Sequence, residues 1–321
     1  MSAFEYSAGA FIYRRSGGRV SFLILKKRNG EHDLAKGHIE EGETAIDAAK
    51  REIKEETGID AEFDHFFLES TKYFFFKKGK RIMKQVKFFL CEVKSDRVSI
   101  SKEHLGYEWC DYNEAVKRLG FKDLVGIMSV AMEYIRRKEQ MERINAQYAR
   151  LAQLTKGWSL SRRLVPGEGR LDAKIMLVGQ APGANEDEQL RPFIGRSGKL
   201  LDSLLKKAKI SRRRAYITSV VQFFPPKNRM PTREEVALCK PFLMRQLELV
   251  RPRYVVTLGN LSASTMLGIG EVEKNHGRLV EKGGIDYLIT FHPAAALRFK
   301  ENYGLMLDDF RKLAKRIGKN S

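Results

Sequence analysis

Gly37–Ile59 reads GHIEEGETAIDAAKREIKEETGI, a short loop that enters an acidic helix. Thr44 and Asp47 stand where a capping pair starts a helix, and Gly58 stands where a glycine ends one. Between them Glu52, Glu55 and Glu56 fall at i, i+3 and i+4, so their carboxylates project from one face. Ile46, Ala49 and Ile53 share the other face, which must pack on a core. Like charges this close repel by a few tenths of a kcal/mol per pair on an exposed helix. A divalent cation converts that repulsion into ligation, and hard oxygen donors suit Mg²⁺ or Mn²⁺. Three clustered glutamates by themselves read first as an acidic solvated helix.

The wider spacing decides between these readings. Gly37, Glu43, Arg51, Glu52, Ile53, Glu55, Glu56, Gly58 and Ile59 fit G-x5-E-x7-R-E-U-x-E-E-x-G-U at every fixed position. The stretch therefore resembles the Nudix box. The resemblance implies metal-dependent hydrolysis of a nucleoside diphosphate linked to a further group. Gly37, Glu52 and Glu56 would hold the metal, Glu55 would assist, and Arg51 would orient a glutamate. Glu55 and Glu56 are the candidate catalytic carboxylates.

Residues 5–28 cluster β-formers around Ser16-Gly17-Gly18. Residues 65–93 read as a hairpin with Lys78-Gly79-Lys80 at its tip, and residues 114–137 read as helical. Residues 1–137 thus form an α+β domain, a mixed sheet carrying the box helix. KGHIEEGE, Tyr73, Lys84 and SKEHLGYEW resemble the Nudix branch that splits diadenosine tetraphosphate asymmetrically into ATP and AMP. That resemblance makes Lys36, Gly37, Arg51, Tyr73 and Lys84 the nucleotide-binding set. Tyr73 would stack on adenine, Lys84 would pair with phosphate, and Glu103 would add a carboxylate outside the box. Read from the residues alone, Tyr73 is equally a core aromatic. Ala35 stands where that branch carries proline.

A length of 321 residues suits two domains. Residues 138–160 read as a polar helical linker ending in a glycine-containing break. From Val165 the texture changes to buried strands alternating with helices: Ala173–Val178, AYITSVV, Arg253–Leu258 and YLITFHP. That alternation is an α/β parallel-sheet domain over residues 161–321, with functional loops at the strand C-termini. It also carries the charge: 30 Lys+Arg against 16 Asp+Glu, compared with 25 against 22 in residues 1–137. Such an excess points to a polyanion, most simply nucleic acid, or to the basic surface of a heat-adapted protein.

VPGEG, GQAPGANEDEQLRPFIGRSGKLLD, SVVQFFPPKNRMP and HPAAALR, in that order, resemble the uracil-DNA glycosylase superfamily, closest to its iron–sulfur branch, family 4. The resemblance implies a base flipped into a pocket. Phe193 would stack on it and His292 would donate to the base oxygen as negative charge develops. Leu297, beside Pro293 and Arg298, would enter the minor groove. Gly179, Ala181, Pro182, Gly183, Asn228 and Arg229 would contact base or DNA. Without these blocks His292 is a satisfied histidine ending a strand. Gln180 replaces a glutamate thought to activate water, and a neutral amide is no general base. Ser219 replaces the asparagine that reads the uracil edge. Glu186 and Asp187 match an acidic pair and would position water instead. Of four cluster cysteines only Cys239 remains, with Phe223, Ala152 and Thr155 near the other places, so no iron–sulfur cluster is expected.

Three widely spaced cysteines, Cys91, Cys110 and Cys239, suggest neither a disulfide framework nor a zinc site. No apolar run approaches the ~20 residues that span a bilayer, and the first residues read as a strand rather than a secretory signal. A cytoplasmic monomer is expected, with a nucleoside polyphosphate and DNA as its partners. Three functions remain open at this point. They are a bifunctional hydrolase and glycosylase, a Nudix enzyme with a DNA-binding appendage, and a DNA enzyme with a regulatory Nudix half.

Overall fold

The computed structural model describes residues 3–77 and 79–319. The chain divides into two compact units, Met1–Ile135 and Arg136–Ser321. In the first, β1 (Ala3–Ser16), β2 (Arg19–Lys27), β3 (His32–Asp33) and β4 (Lys36–His38) precede α1 (Ala45–Thr57). Then come β5 (Glu69–Lys77), β6 (Lys80–Glu92), β7 (His104–Cys110), α2 (Tyr112–Leu119) and α3 (Lys122–Leu154). The sheet is mixed, in the order β3-β2-β1-β6-β5, with β4 on β1 and β7 on β2. Strands β1 and β6 run parallel, and β5 and β6 form an antiparallel hairpin. The tip expected at Lys78-Gly79-Lys80 includes Lys78, which lies outside the described residues.

Helix α1 forms as its punctuation demands. The Thr44 side chain accepts from the Asp47 N–H, and Gly58 takes the left-handed conformation (φ 71°). Its buried stripe, Ala48, Ala49 and Ile53, packs against Ala8, Ala10, Ile12, Leu23, Leu25 and Phe89. Alanines at positions 8 and 10 let the helix lie close to β1. Burying a side chain the size of Ile53 contributes about 1.5–3 kcal/mol, enough to hold the acidic face in place despite its own repulsion.

Helix α3 departs from the expectation of a separate linker at 138–160. It is a single 33-residue helix, with no proline or glycine after Gly126 to end it. Met141, Ile144, Tyr148 and Ala152 are buried and follow helical spacing, so this stretch supplies a core stripe to the second unit. Its polar residues lie between those positions, which is why its composition resembles a connector.

The second unit holds β8 (Glu168–Gly169), β9 (Ile175–Gly179), α4 (Ala184–Gln189), α5 (Arg196–Lys207), β10 (Ala215–Ser219), α6 (Arg233–Val250) and β11 (Tyr254–Leu258). It continues with α7 (Asn260–Leu267), α8 (Val272–Asn275), β12 (Leu279–Lys282), β13 (Ile285–Thr290), α9 (Pro293–Arg298) and α10 (Glu301–Lys319). The sheet order is β12-β13-β11-β9-β10-β8. The central four strands are parallel and the two edges antiparallel. Strands β9, β10 and β11 are buried along their whole length, as strands covered on both faces must be. Gly179, Ser219, Gly259 and Phe291-His292 leave these four strands at their common C-terminal edge, where open parallel sheets place their sites.

No helix among the described residues is long and apolar enough to cross a membrane. The three cysteines are free and buried.

Candidate functional site

In the first unit the acidic face of α1 is organised by Arg51. Its guanidinium donates to both Glu43 oxygens (2.8 and 3.0 Å), to Glu52 Oε1 (2.8 Å), to Glu55 Oε2 (3.3 Å) and to the His38 carbonyl (2.9 Å). The hydrogen bonds from Arg51 and the Glu40 N–H hold the Glu43 carboxyl down to about 2. Glu56 is the buried member and accepts the Lys36 N–H at 3.1 Å. Burial, reinforced by Glu52 and Asp33 and opposed by Lys36, pushes its carboxyl up to about 8. A Cβ on Gly37 would run into the Glu52 carboxylate, so only glycine lets that carboxylate lie on the β4 backbone. Among the described residues no three His, Cys, Asp or Glu side chains stand in ready metal-holding geometry. Arg51, which bridges Glu52 and Glu55, supplies the positive charge there. The donor set nonetheless fits a hard divalent cation: a buried carboxylate at elevated pKa beside a second one, against glycine backbone.

Glu103 is exposed, its N–H bonded to Ser101 Oγ at 3.3 Å. The Ser101 N–H reaches the Glu56 carbonyl at 3.1 Å, so the Glu103 loop is tied to the end of α1. Tyr73 and Lys84 are register partners on β5 and β6. Tyr73 is 37% exposed, and therefore not the core aromatic its apolar surroundings in sequence allow. Burial and the nearby Lys36 ammonium lower the pKa of Lys84. Lys27 and Lys36 both pair with the buried Asp33. Against the opposing effect of burial, they keep its carboxyl below the usual range. Asp33 and Lys27 carried no sequence signal, because their pairing depends on the β2–β3 register.

The second unit encloses a cavity of about 960 Å³ at the C-terminal edge of its parallel strands. Gln180, Ala181, Pro182, Gly183, Glu186, Phe193, Ser219, Asn228, Arg229, His292, Leu297 and Arg298 all line it. The Phe193 and His292 rings lie 5.9 Å apart. Burial lowers the His292 pKa to about 4, so its imidazole is neutral at physiological pH. The Ala294 N–H donates to Nδ1 at 3.1 Å, which assigns the proton to Nε2 and makes that atom a donor. Phe193 adopts φ +53°, a strained value for a bulky residue. Arg212 holds it there, reaching the Pro192 and Phe193 carbonyls (3.1 and 3.3 Å) while pairing with Asp202 (2.7 Å). Gly179 and Gly198 lack the Cβ that would strike the Phe193 ring and carbonyl respectively.

Three expected roles are altered by local hydrogen bonding. Asp187 is buried, accepts from Ser161 and Arg163, and is not among the cavity-lining residues. Glu186 reaches the cavity, yet its Oε1 accepts the Ile194 and Gly195 N–H groups at 3.1 and 2.8 Å. It thereby serves the N-terminus of α5, whose own cap residue is a glycine. Arg229 pairs with Glu235 and donates to Ser159, which commits its guanidinium to the fold. Beneath Ser219, Thr218, Gln222 and Gln246 form a buried amide–hydroxyl network. Sequence reasoning had not singled out these three or Arg212, since each acts through partners distant in the chain.

Comparison with known proteins matches both units. The NUDIX domain model covers residues 3–127 and the Uracil DNA glycosylase superfamily model covers residues 166–317. The type-4 uracil-DNA glycosylase of Saccharolobus solfataricus is 38% identical over 178 residues, 52% of this chain and 82% of that protein. The type-5 uracil-DNA glycosylase of Pyrobaculum aerophilum is 38% identical over 155 residues, 43% of this chain and 68% of that protein. The asymmetrical bis(5'-nucleosyl)-tetraphosphatase of Caenorhabditis elegans is 32% identical over 126 residues, 38% of this chain and 90% of that protein. The chain belongs to both families. It is an enzyme that joins a NUDIX hydrolase domain to a domain of the uracil DNA glycosylase superfamily.

In the glycosylase-family domain, Phe223, which stands at one of the cluster positions implied by the resemblance, lies in aromatic packing. Tyr148 stacks on Phe242 (centroids 4.3 Å apart, 4° between planes), and both it and Trp158 meet Phe223 edge-on (4.9 and 5.1 Å). Cys239 hydrogen-bonds Tyr148, and burial pushes its thiol up to about 11.

Proposed function

We propose that the NUDIX domain hydrolyses a dinucleoside polyphosphate of the diadenosine tetraphosphate kind, releasing a nucleoside triphosphate. The observation that supports this is the buried Glu56 beside Glu52, near the cluster of Lys27, Lys36 and Lys84, with the open Tyr73 paired to Lys84. Glu52 and Glu56, with Glu55 and Gly37, would hold Mg²⁺ or Mn²⁺. The ion supplies neutralisation of the phosphate chain and acidification of water. Arg51 fixes the carboxylates, Lys36 and Lys84 bind phosphate oxygens, Tyr73 stacks on a base, and Glu103 adds a carboxylate from its tethered loop. Glu52→Gln and Glu56→Gln should each abolish Mg²⁺-dependent release of ATP from diadenosine tetraphosphate. Undiminished turnover in both would remove the box as the site.

The glycosylase-family domain excises a damaged base from DNA in this reading, acting as part of a cytoplasmic monomer. Its support is the neutral, Nε2-protonated His292 facing Phe193 across the cavity. A flipped base stacks on Phe193, and the His292 N–H meets the base oxygen where charge gathers as the glycosidic bond breaks. Alkali treatment after incubation with oligonucleotides carrying uracil, hypoxanthine or 8-oxoguanine should reveal abasic product that vanishes with His292→Ala.

A second reading, DNA binding without excision, is favoured by one observation. Gln180 is no base, and the Glu186 carboxylate is already bonded to two backbone N–H groups. Tight duplex binding with no abasic product on any of the three lesions would establish it.

A further inference from the structure

The strand register of the NUDIX domain assembles a second surface on the sheet face that carries α1. Phe4 pairs with Met83 and Met83 with Phe74; Tyr6 pairs with Gln85 and Gln85 with Lys72; Arg81 pairs with Phe76. Paired residues share a face and alternate residues oppose it. Tyr73, Lys84 and Glu5 therefore project from the other side. Phe4, Tyr6, Phe74 and Phe76 are 57%, 50%, 47% and 75% exposed, unusual for large apolar side chains that cluster. The Arg81 guanidinium lies 3.9 Å from the Phe74 ring centroid. On this face, β1, β5 and β6 place Lys72, Arg81 and Lys87 and no carboxylate.

We propose that this face binds single-stranded DNA. Unpaired bases offer π-faces that stack on aromatic rings, and their phosphates need cations alongside. A sheet presenting aromatics from adjacent strands meets both needs. Successive rings on one strand stand about 7 Å apart, room for one base on each of Phe74 and Phe76, with Arg81 and Lys72 flanking them. Strand positions that offer aromatics and cations without a carboxylate among them suit a polyanion better than an acid-and-base protein surface, even though the acidic α1 shares the same face of the sheet. DNA is the occupant because the same chain carries a uracil DNA glycosylase superfamily domain. The site lies on the opposite side of the sheet from the nucleotide residues Tyr73 and Lys84, so the two are separately testable.

The full chain is photo-crosslinked to a short oligothymidylate containing 4-thiothymidine and digested with trypsin. A crosslink in the peptide Tyr73–Lys77, on Phe74 or Phe76, is expected. Phe74→Ala with Phe76→Ala should remove that crosslink and weaken single-strand binding about tenfold or more. Phe74→Trp with Phe76→Trp should preserve both, with circular dichroism confirming that each variant is folded. The proposal is overturned by crosslinks confined to residues 161–321, or by unchanged affinity of the alanine pair. Preferential binding of an RNA of matching sequence overturns it too, as does self-association abolished by the alanine pair without any change in DNA affinity.

Discussion

Replacing Glu56 with glutamine should stabilise the protein while abolishing its hydrolytic activity, and the stabilisation should grow with pH. Burial lifts the Glu56 carboxyl from 4.5 to about 8. Between those values the native state keeps a proton that the unfolded chain has released. Stability therefore falls as pH rises, by up to about 1.4 kcal/mol per pH unit. The accumulated cost is about 1 kcal/mol at pH 5 and about 3 kcal/mol at pH 7, levelling off above pH 8. Glutamine carries no charge to bury, and its carbonyl still accepts the Lys36 N–H. Calorimetric melting of the full chain in excess EDTA should show the NUDIX transition of Glu56→Gln raised by about 10 °C at pH 7, but only a few degrees at pH 5. Metal-dependent turnover in the same variant should drop by about 10²-fold or more. A variant less stable than wild type at pH 7, or an advantage equal at pH 5 and 7, would refute the account of Glu56 as a buried, proton-holding ligand.

Three further outcomes follow from the glycosylase-family domain. With His292 neutral down to about pH 4, single-turnover excision should not titrate through this residue between about pH 5.5 and 8.5, and His292→Ala should cost about 10²–10³-fold. A rate that rises and falls with a histidine near its ordinary pKa would contradict the burial. Arg212→Ala should free the strained Phe193 loop, weakening capture of the base while leaving undamaged-duplex affinity within about twofold, since the residue acts through Pro192 and Phe193 rather than on DNA. Equal losses on damaged and undamaged duplex would refute a positioning role. Cys239, buried with its thiol at about 11, should resist alkylation in the native chain at about pH 8 and react only on unfolding. Native labelling would show that the aromatic cluster around Tyr148 opens.

Legibility differed between the two sites for a definite reason. The box residues lie within 23 consecutive positions, so helical periodicity alone puts three carboxylates on one face and Arg51 among them. Local spacing carried less information about Glu186 and Asp187. Their motif matched, but whether a carboxylate faces a cavity or caps α5 depends on where Ile194, Gly195, Ser161 and Arg163 arrive. The stretch 138–160 behaves in the same way. Met141, Ile144, Tyr148 and Ala152 look sparse in a polar stretch until β10 and α6 supply the surfaces that bury them.

Sequence by itself determined the two families, the alternation of elements in each unit, the acidic face of α1, and the excess of positive charge in the glycosylase-family half. All of these are encoded by residues near one another in the chain or by simple composition. Tertiary structure alone decided that Glu56 is the buried carboxylate, that Nε2 of His292 holds the proton, and that Arg212 pins a strained Phe193. It alone showed that β1, β5 and β6 bring four exposed aromatics together with cations and no carboxylate of their own. Each of these depends on burial or on strand register between distant segments, which a linear pattern does not record.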